Sequence, residues 1–428
     1  FAVDDALHPV LVKAGVVEHT GEIACLISPF RGVRQPGTDF CVTLRIDVRS
    51  CPYYQTLQDV GRWWAEMDGY TPMPVPDSGT FPVYSTWYSF HQEMTCQQIE
   101  AQCLLAKELG CETVIVDDGW QTEDTQGAYP FTGDWSPEGM PDIGDSVARI
   151  QALGMAYILW YSVPFVGYRS SVFSRFEKKL LYKLDQLSCA VLDPRYPDVR
   201  DYLISTYVTA LNTWNLDGFK LDFVDRFLVP EDGEILSTAP DRVYECVYEA
   251  ADRLMGDVAD CLRAIKPDIL IEFRQHYIGP KMRRYGNLFR AQDCPMDVVR
   301  NRVSTLDIRL LAGETATHAD MLMWRVDDTP ENAARQLLNV FFSVPQISVL
   351  LEKLPNSHQA MLRHYLGFWR EHRDVLLHGE LIPQHPEALY PSVLTGTEAK
   401  VIAVCYSTNC LALPDKQPPQ IHVVNATA

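Results

Sequence analysis

The sequence predicts an α/β fold, a closed (β/α)8 TIM barrel with all-β domains on either side. Between residues 76 and 378, short apolar runs alternate with longer amphipathic stretches, which is the pattern of repeated strand and helix units in a parallel sheet. Eight such units can be assigned. The main alternative, an open doubly wound sheet, usually carries a Gly-rich phosphate loop after its first strand, and the sequence has no such loop. The barrel is therefore favoured.

The 428 residues divide into three expected domains. Residues 1–75 hold short β-branched and aromatic runs, with strands expected at 16–20 and 40–48, and predict part of an N-terminal β-sandwich. A segment rich in Pro and Gly at 67–81 suits a connection between domains. The barrel is expected over 76–378. Residues 379–428, with strands expected at 399–405 and 421–424, predict part of a C-terminal β domain.

Each barrel unit has an expected strand and, in most cases, an expected helix. The predicted strands cover residues 83–88, 113–116, 156–160, 218–221, 269–271, 288–291, 320–324 and 345–350. The predicted helices cover residues 96–109, 142–153, 199–213, 240–265, 298–311, 331–342 and 358–376. The long connection at 162–198 accounts for a barrel slightly larger than the ~250 residues typical of the fold.

Composition excludes several classes of function. A net charge of −19 opposes binding to a phosphate backbone, so no nucleic-acid partner is expected. The twelve cysteines form no CxxC pair, so most are expected to be reduced core residues and no metal site is expected. The longest apolar runs are shorter than the ~18 residues of a membrane span. No membrane partner is therefore expected. A cytoplasmic location is expected.

Acidic side chains follow four of the predicted strands, and Asp320 stands at the opening of a fifth. In a TIM barrel the active site lies at the carboxyl ends of the strands, so these acids are expected to meet at one mouth. Carboxylates accept hydrogen bonds from sugar hydroxyls, and aromatic rings cover the C–H faces of a sugar. The pattern predicts a sugar site with candidate residues Asp117, Asp118, Lys220, Asp222, Glu272, Asp293 and Asp320, beside Trp87, Trp120 and Trp135.

Each feature also has a structural interpretation. Asp117 and Asp118, followed by Gly, are ordinary β-turn residues. Lys220 and Asp222 alternate on one strand and therefore share a face, where they could form an ion pair. Asp293 stands two residues before a Pro, as a helix N-cap would. A structural role at the barrel rim is an equal alternative for His318.

Four motifs occur in the order found in the α-galactosidases of glycoside hydrolase family 36. They are Thr-Val-Ile-Val-Asp-Asp-Gly-Trp at 113–120, Gly-Asp-Trp at 133–135, Gly-Phe-Lys-Leu-Asp-Phe at 218–223 and Phe-Arg-Ala-Gln-Asp at 289–293. The resemblance covers residues 83–377. It extends to the family 27 α-galactosidases and, more distantly, to the family 31 α-glucosidases.

The resemblance implies a retaining glycosidase acting on oligosaccharides or other glycosides, without a cofactor or metal. Asp222 matches the nucleophile and Asp293 the acid/base. Asp117 and Asp118 match the pair that grips the hydroxyls far from the anomeric carbon. The remaining expected substrate contacts are Trp87, Trp120, Trp135, Lys220, Glu272, Arg274, Arg290 and Asp320. Lys220 is expected to keep Asp222 ionised, and nearby carboxylates and partial burial to keep Asp293 protonated.

The sequence departs from the family pattern after the fifth strand. Where the family carries a Cys-Ser-Gly-Gly-Gly type of stretch, this chain reads Glu-Phe-Arg-Gln-His-Tyr at 272–277. An Arg that the family places before the nucleophile strand is also not evident at 187–193. Because a guanidinium pairs well with carboxylate, Arg274 suggests an anionic or otherwise C2-modified sugar as an alternative substrate.

Three further functions remain open. Transglycosylation would use the same two carboxylates with a sugar as the acceptor. A non-catalytic barrel would bind sugar through the same residues. A TIM-barrel isomerase or aldolase would need a metal, a phosphate loop or a Schiff-base lysine, for which Lys220 is the candidate. Self-association is also left open by the sequence.

Overall fold

The computed structural model describes residues 1–8, 10–29, 41–228, 239, 241–408, 411–413 and 418–427. Eight parallel strands form a single sheet that closes into a barrel, and antiparallel sheets flank it. The predicted fold class is confirmed. The N-terminal part contains β1 (Ala2–Val3), β2 (Leu11–Val16), β3 (Ile23–Ser28), β4 (Leu44–Arg45) and α1 (Tyr53–Ala65).

The N-terminal part has less sheet than the sequence predicts. β1 pairs with β4 and β2 with β3, each antiparallel. The expected strand at 16–20 is wrong, because β2 ends at Val16 and residues 18–20 form a turn. The expected strand at 40–48 is reduced to two residues, and Phe40 lies outside the described residues. Helix α1 was not expected, and it packs its Gly61 against the backbone of Leu311.

The first half of the barrel contains a small additional sheet. Three antiparallel strands, β8, β9 and β10, fill the long connection at 162–198 that the sequence left unassigned. In chain order the elements are β5 (Val83–Ser85), α2 (Trp87–Phe90), α3 (Cys96–Glu108), β6 (Thr113–Val116), α4 (Ile143–Ala152), β7 (Ala156–Ser162), β8 (Phe165–Gly167), α5 (Phe173–Phe176), β9 (Leu180–Leu184), β10 (Cys189–Leu192), α6 (Pro197–Trp214) and β11 (Gly218–Asp222).

The second half completes the barrel and leads into the C-terminal sheet, whose strands lie in the order β16, β17, β18, β19. The elements are α7 (Val247–Ile265), β12 (Leu270–Arg274), β13 (Leu288–Arg290), α8 (Val298–Ala312), β14 (Ala316–His318), α9 (Pro330–Leu338), β15 (Gln346–Ile347), α10 (Asn356–Glu371), α11 (Arg373–His378), β16 (Glu380–Gln384), β17 (Ser392–Gly396), β18 (Lys400–Cys405) and β19 (Gln420–Asn425).

The barrel strands lie in the order β14, β13, β12, β11, β7, β6, β5, β15. Two isolated parallel bridges close the ring, His318 with Val344 and Leu322 with Ile347. Strands covered by helices on one side and by the barrel interior on the other are buried on both faces, which is why β6 has the sequence Thr-Val-Ile-Val and no charged residue.

Several predicted boundaries are wrong. The seventh strand was expected at 320–324 but occupies Ala316–His318. The residues after it are more apolar and suggested a strand, but they are buried in a loop. The first strand ends at Ser85, where α2 replaces its expected last residues. The helix expected from 240 begins at Val247, and Pro240 is outside the described residues. The helix expected at 358–376 divides into α10 and α11.

None of the described helices is long and apolar enough to cross a membrane. The eleven cysteines that the structure describes are free thiols, as expected. Only five of them are buried, so the expectation that most lie in the core is wrong: they are Cys96, Cys103, Cys111, Cys189 and Cys294.

Candidate active site

The acidic side chains assemble at the carboxyl ends of the barrel strands. Lys220 and Asp222 are two residues apart on β11, so both side chains point to the same face of the strand. Lys220 pairs in register with Glu272 of the neighbouring strand, and Arg274 pairs with Arg290 of the next. Consecutive strands therefore bring both acidic and basic side chains to one mouth.

Lys220 forms its ion pair with Asp117, at the end of β6. Lys220 Nζ lies 2.5 Å from Asp117 Oδ2, and each side chain is only 5% exposed. The structural alternative in which Lys220 pairs with Asp222 is therefore wrong. A buried lysine bonded to a carboxylate at this position presents both a donor and acceptors to a ligand in the mouth.

Asp118 is held by two glutamine side chains. Gln92 Nε2 donates to its Oδ2 at 2.7 Å, and Gln121 Nε2 donates to its Oδ1 at 2.5 Å. Burial raises the pKa of Asp118 to about 6, although these two hydrogen bonds lower it. Gly119 follows with φ +122°, a left-handed conformation, and a Cβ there would meet the backbone of Gln92. The turn and the placement of the acid thus depend on each other.

Asp222 accepts hydrogen bonds unequally at its two oxygens. Its Oδ1 accepts from Arg274 Nε at 2.8 Å, from the hydroxyl of Tyr277 and from the backbone N–H of Phe223. Its Oδ2 accepts from the Trp160 indole N–H at 3.2 Å. Burial raises the pKa of Asp222, but the charges of Arg274 and Lys220 and these hydrogen bonds hold it below its usual value. Asp222 is therefore an ionised carboxylate, with Oδ2 the less occupied oxygen.

Asp293 is the most exposed carboxylate at the mouth, with 48% of its side chain accessible. Arg290 Nη2 donates to its Oδ1 at 2.8 Å. Partial burial raises the pKa of Asp293, but the charges of Arg290, Lys220 and Arg274 lower it to about 2. The expectation that its surroundings keep Asp293 protonated is therefore wrong for this state. The N-cap of α8 is Asp297, so the helix-cap interpretation of Asp293 is also wrong.

Arg290 links three carboxylates below the mouth. Besides Asp293 it donates to Asp320, and its Nε lies 3.6 Å from Glu272 Oε1. Asp320 also accepts from the hydroxyl of Tyr88 at 3.1 Å. Arg290, Glu272 and Asp320 are at most 1% exposed. Arg290 therefore holds Asp293 from beneath, and in this state all three side chains have almost no surface for the substrate contacts expected of them.

The predicted aromatic residues lie at different depths. Trp135 is 9% exposed and stacks on Trp120, which is fully buried and donates its indole N–H to the carbonyl of Trp160. Trp120 therefore supports Trp135 from behind and has no face open to a ligand here. Trp87 is partly exposed in α2 and packs edge-on against His91.

Sequence reasoning missed six side chains that bind the predicted acids. Trp160 stands near the end of a barrel strand, and Gln121 directly follows the motif at 113–120. The rule that site residues lie at strand ends could therefore have identified both. Tyr88 is the last residue of the predicted strand at 83–88, so the same rule applies to it. No local pattern marks the other three, Gln92, Tyr277 and Gln346.

Asp222 and Asp293 lie in one electrostatic environment. The charges of Lys220 and Arg274 lower the pKa of both carboxyl groups. Asp222 ends β11 and Asp293 follows β13, with β12 between them. Arg274 of β12 pairs in register with Arg290 of β13, and these two arginines bond Asp222 and Asp293 respectively. The arrangement offers two ionised carboxylates and a buried set of hydrogen-bond donors and acceptors at the same end of the barrel.

Barrels with flanking β-structure of this kind occur in α-galactosidases. No known family model matches the sequence, and no curated protein matches it. The glycoside hydrolase family 36 α-galactosidase AgaB from Geobacillus stearothermophilus superposes with a TM-score of 0.66 at 16% identity, over 90% of this chain and 55% of that one. The α-galactosidase from Lactobacillus brevis gives 0.62 at 16%, over 80% and 48%.

A third structure, the α-galactosidase from Thermus thermophilus in complex with p-nitrophenyl α-D-galactopyranoside, superposes with a TM-score of 0.56 at 16% identity, over 78% of this chain and 67% of that one. This chain spans about half the length of the Geobacillus and Lactobacillus enzymes. The resemblance that the motifs indicated is thus confirmed as a likeness of fold.

Proposed function

We propose that this chain is a retaining α-glycosidase that releases terminal α-linked galactose by double displacement. The observation that carries the proposal is that Asp222 and Asp293 bond Arg274 and Arg290, which are paired residues of the adjacent strands β12 and β13 at the barrel mouth. The charges of Lys220 and Arg274 also lower the pKa of both acids. Retaining glycosidases use two carboxyl groups roughly 5 Å apart, one as the nucleophile and one as the acid and then the base. The likeness of fold to α-galactosidases supports the same class of reaction.

Asp222 is the nucleophile. It is ionised, and three hydrogen bonds occupy Oδ1, whereas Oδ2 accepts only one long bond from Trp160. Oδ2 therefore retains the lone pairs needed to attack an anomeric carbon. The bonds to Oδ1 fix the direction of the carboxylate, so little reorganisation is needed as the glycosyl-enzyme bond forms.

Asp293 acts first as the acid and then as the base. Its pKa of about 2 suits the second step, in which an ionised carboxylate takes a proton from water. The first step needs the protonated acid. An aglycone seated over Asp293 would remove the water that reaches its exposed half, and this desolvation raises the pKa of a carboxyl group.

Asp117, Asp118 and Lys220 bind the sugar hydroxyls. Two carboxylates and one ammonium group, all buried and held by fixed partners, form a rigid set of acceptors and donors. Trp135 provides the adjoining aromatic wall. These groups favour a neutral, polyhydroxylated ring over an anionic one at this end of the pocket.

Arg274 favours a second candidate substrate. Its guanidinium group donates to Asp222, beside the position expected for a substituent at C2. The side chain of Arg274 is 18% exposed. A guanidinium beside the nucleophile suits a sugar with an anionic or acylated group at C2. A non-catalytic sugar-binding barrel is the other candidate, because arginines engage both carboxylates in this state.

Mass spectrometry after treatment with a 2-deoxy-2-fluoro or cyclophellitol-type α-galactosyl inactivator tests the proposal. A single adduct on the peptide that contains Asp222 is expected. A panel of aryl α-glycosides, including galactoside, N-acetylgalactosaminide and glucoside, then ranks the substrates. Fastest cleavage of the N-acetylgalactosaminide would favour the C2-modified substrate. Sugar binding without an adduct or any cleavage would leave the non-catalytic barrel.

A further inference from the structure

A histidine, a cysteine and a glutamate meet where the N-terminal segment touches the first turn of α7. The donor atoms of His8, Cys246 and Glu249 all lie within 4.8 Å of one another. His8 Nε2 is 3.9 Å from Glu249 Oε1. The ring of His8 also packs edge-on against Tyr248, with 6.4 Å between ring centroids. The cluster shares no residue with the candidate active site.

Asp5 orients the histidine of this cluster. Its two carboxylate oxygens lie 3.0 and 3.2 Å from His8 Nδ1. A carboxylate at Nδ1 favours the proton on that nitrogen and therefore directs the lone pair of the ring to Nε2, the nitrogen that faces Glu249. Histidine ligands of metals almost always carry such an outer partner on their second nitrogen.

We propose that His8, Cys246 and Glu249 bind a divalent transition metal of the zinc class, with Asp5 as the outer carboxylate. One thiolate, one imidazole and one carboxylate form a donor set typical of zinc, which accepts sulfur, nitrogen and oxygen in a tetrahedral arrangement. Water fills the fourth position. Hard cations such as Mg²⁺ and Ca²⁺ select oxygen donors and do not suit this set.

The side chains need only small movements to reach zinc geometry. Bonds of about 2.0 to 2.3 Å from a tetrahedral ion place neighbouring donors about 3.3 to 3.7 Å apart. Glu249 is half-exposed, at 51%, and its long side chain can make most of the adjustment. Cys246 lies at the N-terminus of α7, where the helix dipole favours the thiolate that binds metal.

A bound ion would fasten residues 5–8 to a barrel helix. The donors come from two segments far apart in the sequence, so metal affinity requires the N-terminal segment to be docked. Any ligand that binds only the folded arrangement stabilises it. Metal binding is therefore expected to raise the melting temperature in addition to changing the metal content.

Zinc titration of the EDTA-stripped chain, followed by dialysis and elemental analysis, tests the proposal. About one zinc per chain is expected for the wild type, with a rise in Tm of at least ~2 °C. Cobalt in place of zinc is expected to give a thiolate-to-metal charge-transfer band. His8→Ala and Cys246→Ser are expected to remove the bound metal, and Asp5→Asn to weaken zinc affinity about 10- to 100-fold.

Cys261→Ser is the matched control, because Cys261 lies on the same helix with intermediate exposure and takes no part in the cluster. It is expected to retain the metal and the cobalt band. Circular dichroism checks that each variant is folded. A wild type without bound zinc, or equal zinc content in His8→Ala, Cys246→Ser and Cys261→Ser, overturns the proposal. Glycosidase activity is not a readout here, so the test is independent of the proposed function.

Discussion

Lys220 of β11 donates a hydrogen bond to Asp117, which follows β6 on the far side of β7, although Asp222 shares its strand face. The lysine therefore joins two parts of the mouth. Its nitrogen neutralises the carboxylate proposed to bind distant hydroxyls, while its charge still lowers the pKa of Asp222 and of Asp293. A single cation thus influences both ends of the proposed sugar site.

Replacing Lys220 with methionine is expected to reduce kcat/KM by about 100-fold or more. The change leaves Asp117 buried without its partner, and breaking such a pair costs about 3 to 5 kcal/mol. Steady-state kinetics with an aryl α-galactoside measure the loss. Lys266→Met removes a partly exposed partner of Asp217 at the other end of β11 and serves as the control. Equal losses in the two variants would contradict the role of Lys220 in the site.

The ionisation of Asp118 is expected to set the acid limb of kcat/KM. Its pKa of about 6 lies above its usual value, so the carboxylate proposed to accept sugar hydroxyls forms only as pH rises through about 6. Activity is expected to fall below that pH. The test compares pH profiles of the wild type and of Asp118→Asn, in which the limb near pH 6 should disappear. Its persistence in the variant would assign the limb to another group.

Removal of the proposed nucleophile is expected to abolish turnover. Asp222→Ala should reduce kcat on the order of 10⁴-fold or more, because no glycosyl-enzyme forms. Azide fits the space left by the carboxylate and is expected to restore part of the activity, giving a glycosyl azide of inverted configuration that NMR identifies. Normal turnover by Asp222→Ala would exclude the residue as the nucleophile.

The effect of removing the proposed acid, Asp293, is expected to depend on the leaving group. Asp293→Ala should slow cleavage of natural galactosides by about 10² to 10⁴-fold and affect activated aryl galactosides much less, since a good leaving group departs without a proton. Rates for a series of leaving groups measure the difference. Asp297→Ala removes only the N-cap of α8 and provides the control. An equal loss for all leaving groups would count against the acid role.

His318 is expected to make the fold sensitive to acid. Its ring nitrogens lie 2.9 Å from the carbonyl of Gly79 and 3.1 Å from Gln346 Nε2, and burial lowers its pKa to about 4. The unfolded chain takes up the proton first, near pH 6.5, so stability is lost as pH falls from there to about 4. The full loss is about 3 kcal/mol.

Thermal unfolding of the wild type and of His318→Gln at pH 7 and pH 4.5 measures this contribution. The variant is expected to lose less stability than the wild type between the two pH values. His19→Gln, at an exposed position, should follow the wild type. If His318→Gln shows the same pH dependence as the wild type, another group is responsible.

The barrel and the position of its mouth could be predicted because the periodicity of strands and helices is visible in a single sequence. The strand-end rule brought Asp117, Lys220 and Asp222 to one mouth from periodicity alone. The seventh strand was misplaced because the triplet Ala316–His318 is less apolar than the buried loop that follows it. Apolar residues can be buried in a loop as well as in a strand, so apolar character alone does not locate a strand.

The partners of each site residue were less predictable than its position. Arg290 engages Asp293 and Asp320, which come from different connections, and so reverses the protonation expected of Asp293. Which of several nearby cations an acid selects depends on side-chain packing in three dimensions. Periodicity carries no information on that choice.

The last barrel strand, β15, pairs with the first, β5, where Gln346 lies opposite Val83. Two isolated bridges connect the β15 segment to the β14 segment on its other side. A chain emerging from the ribosome exposes the free edge of β5 until the last barrel strand has been made. Unpaired edges of this kind recruit other chains into aggregates. Fragments that stop short of β15 are therefore expected to be insoluble, and soluble expression to require synthesis past residue 347.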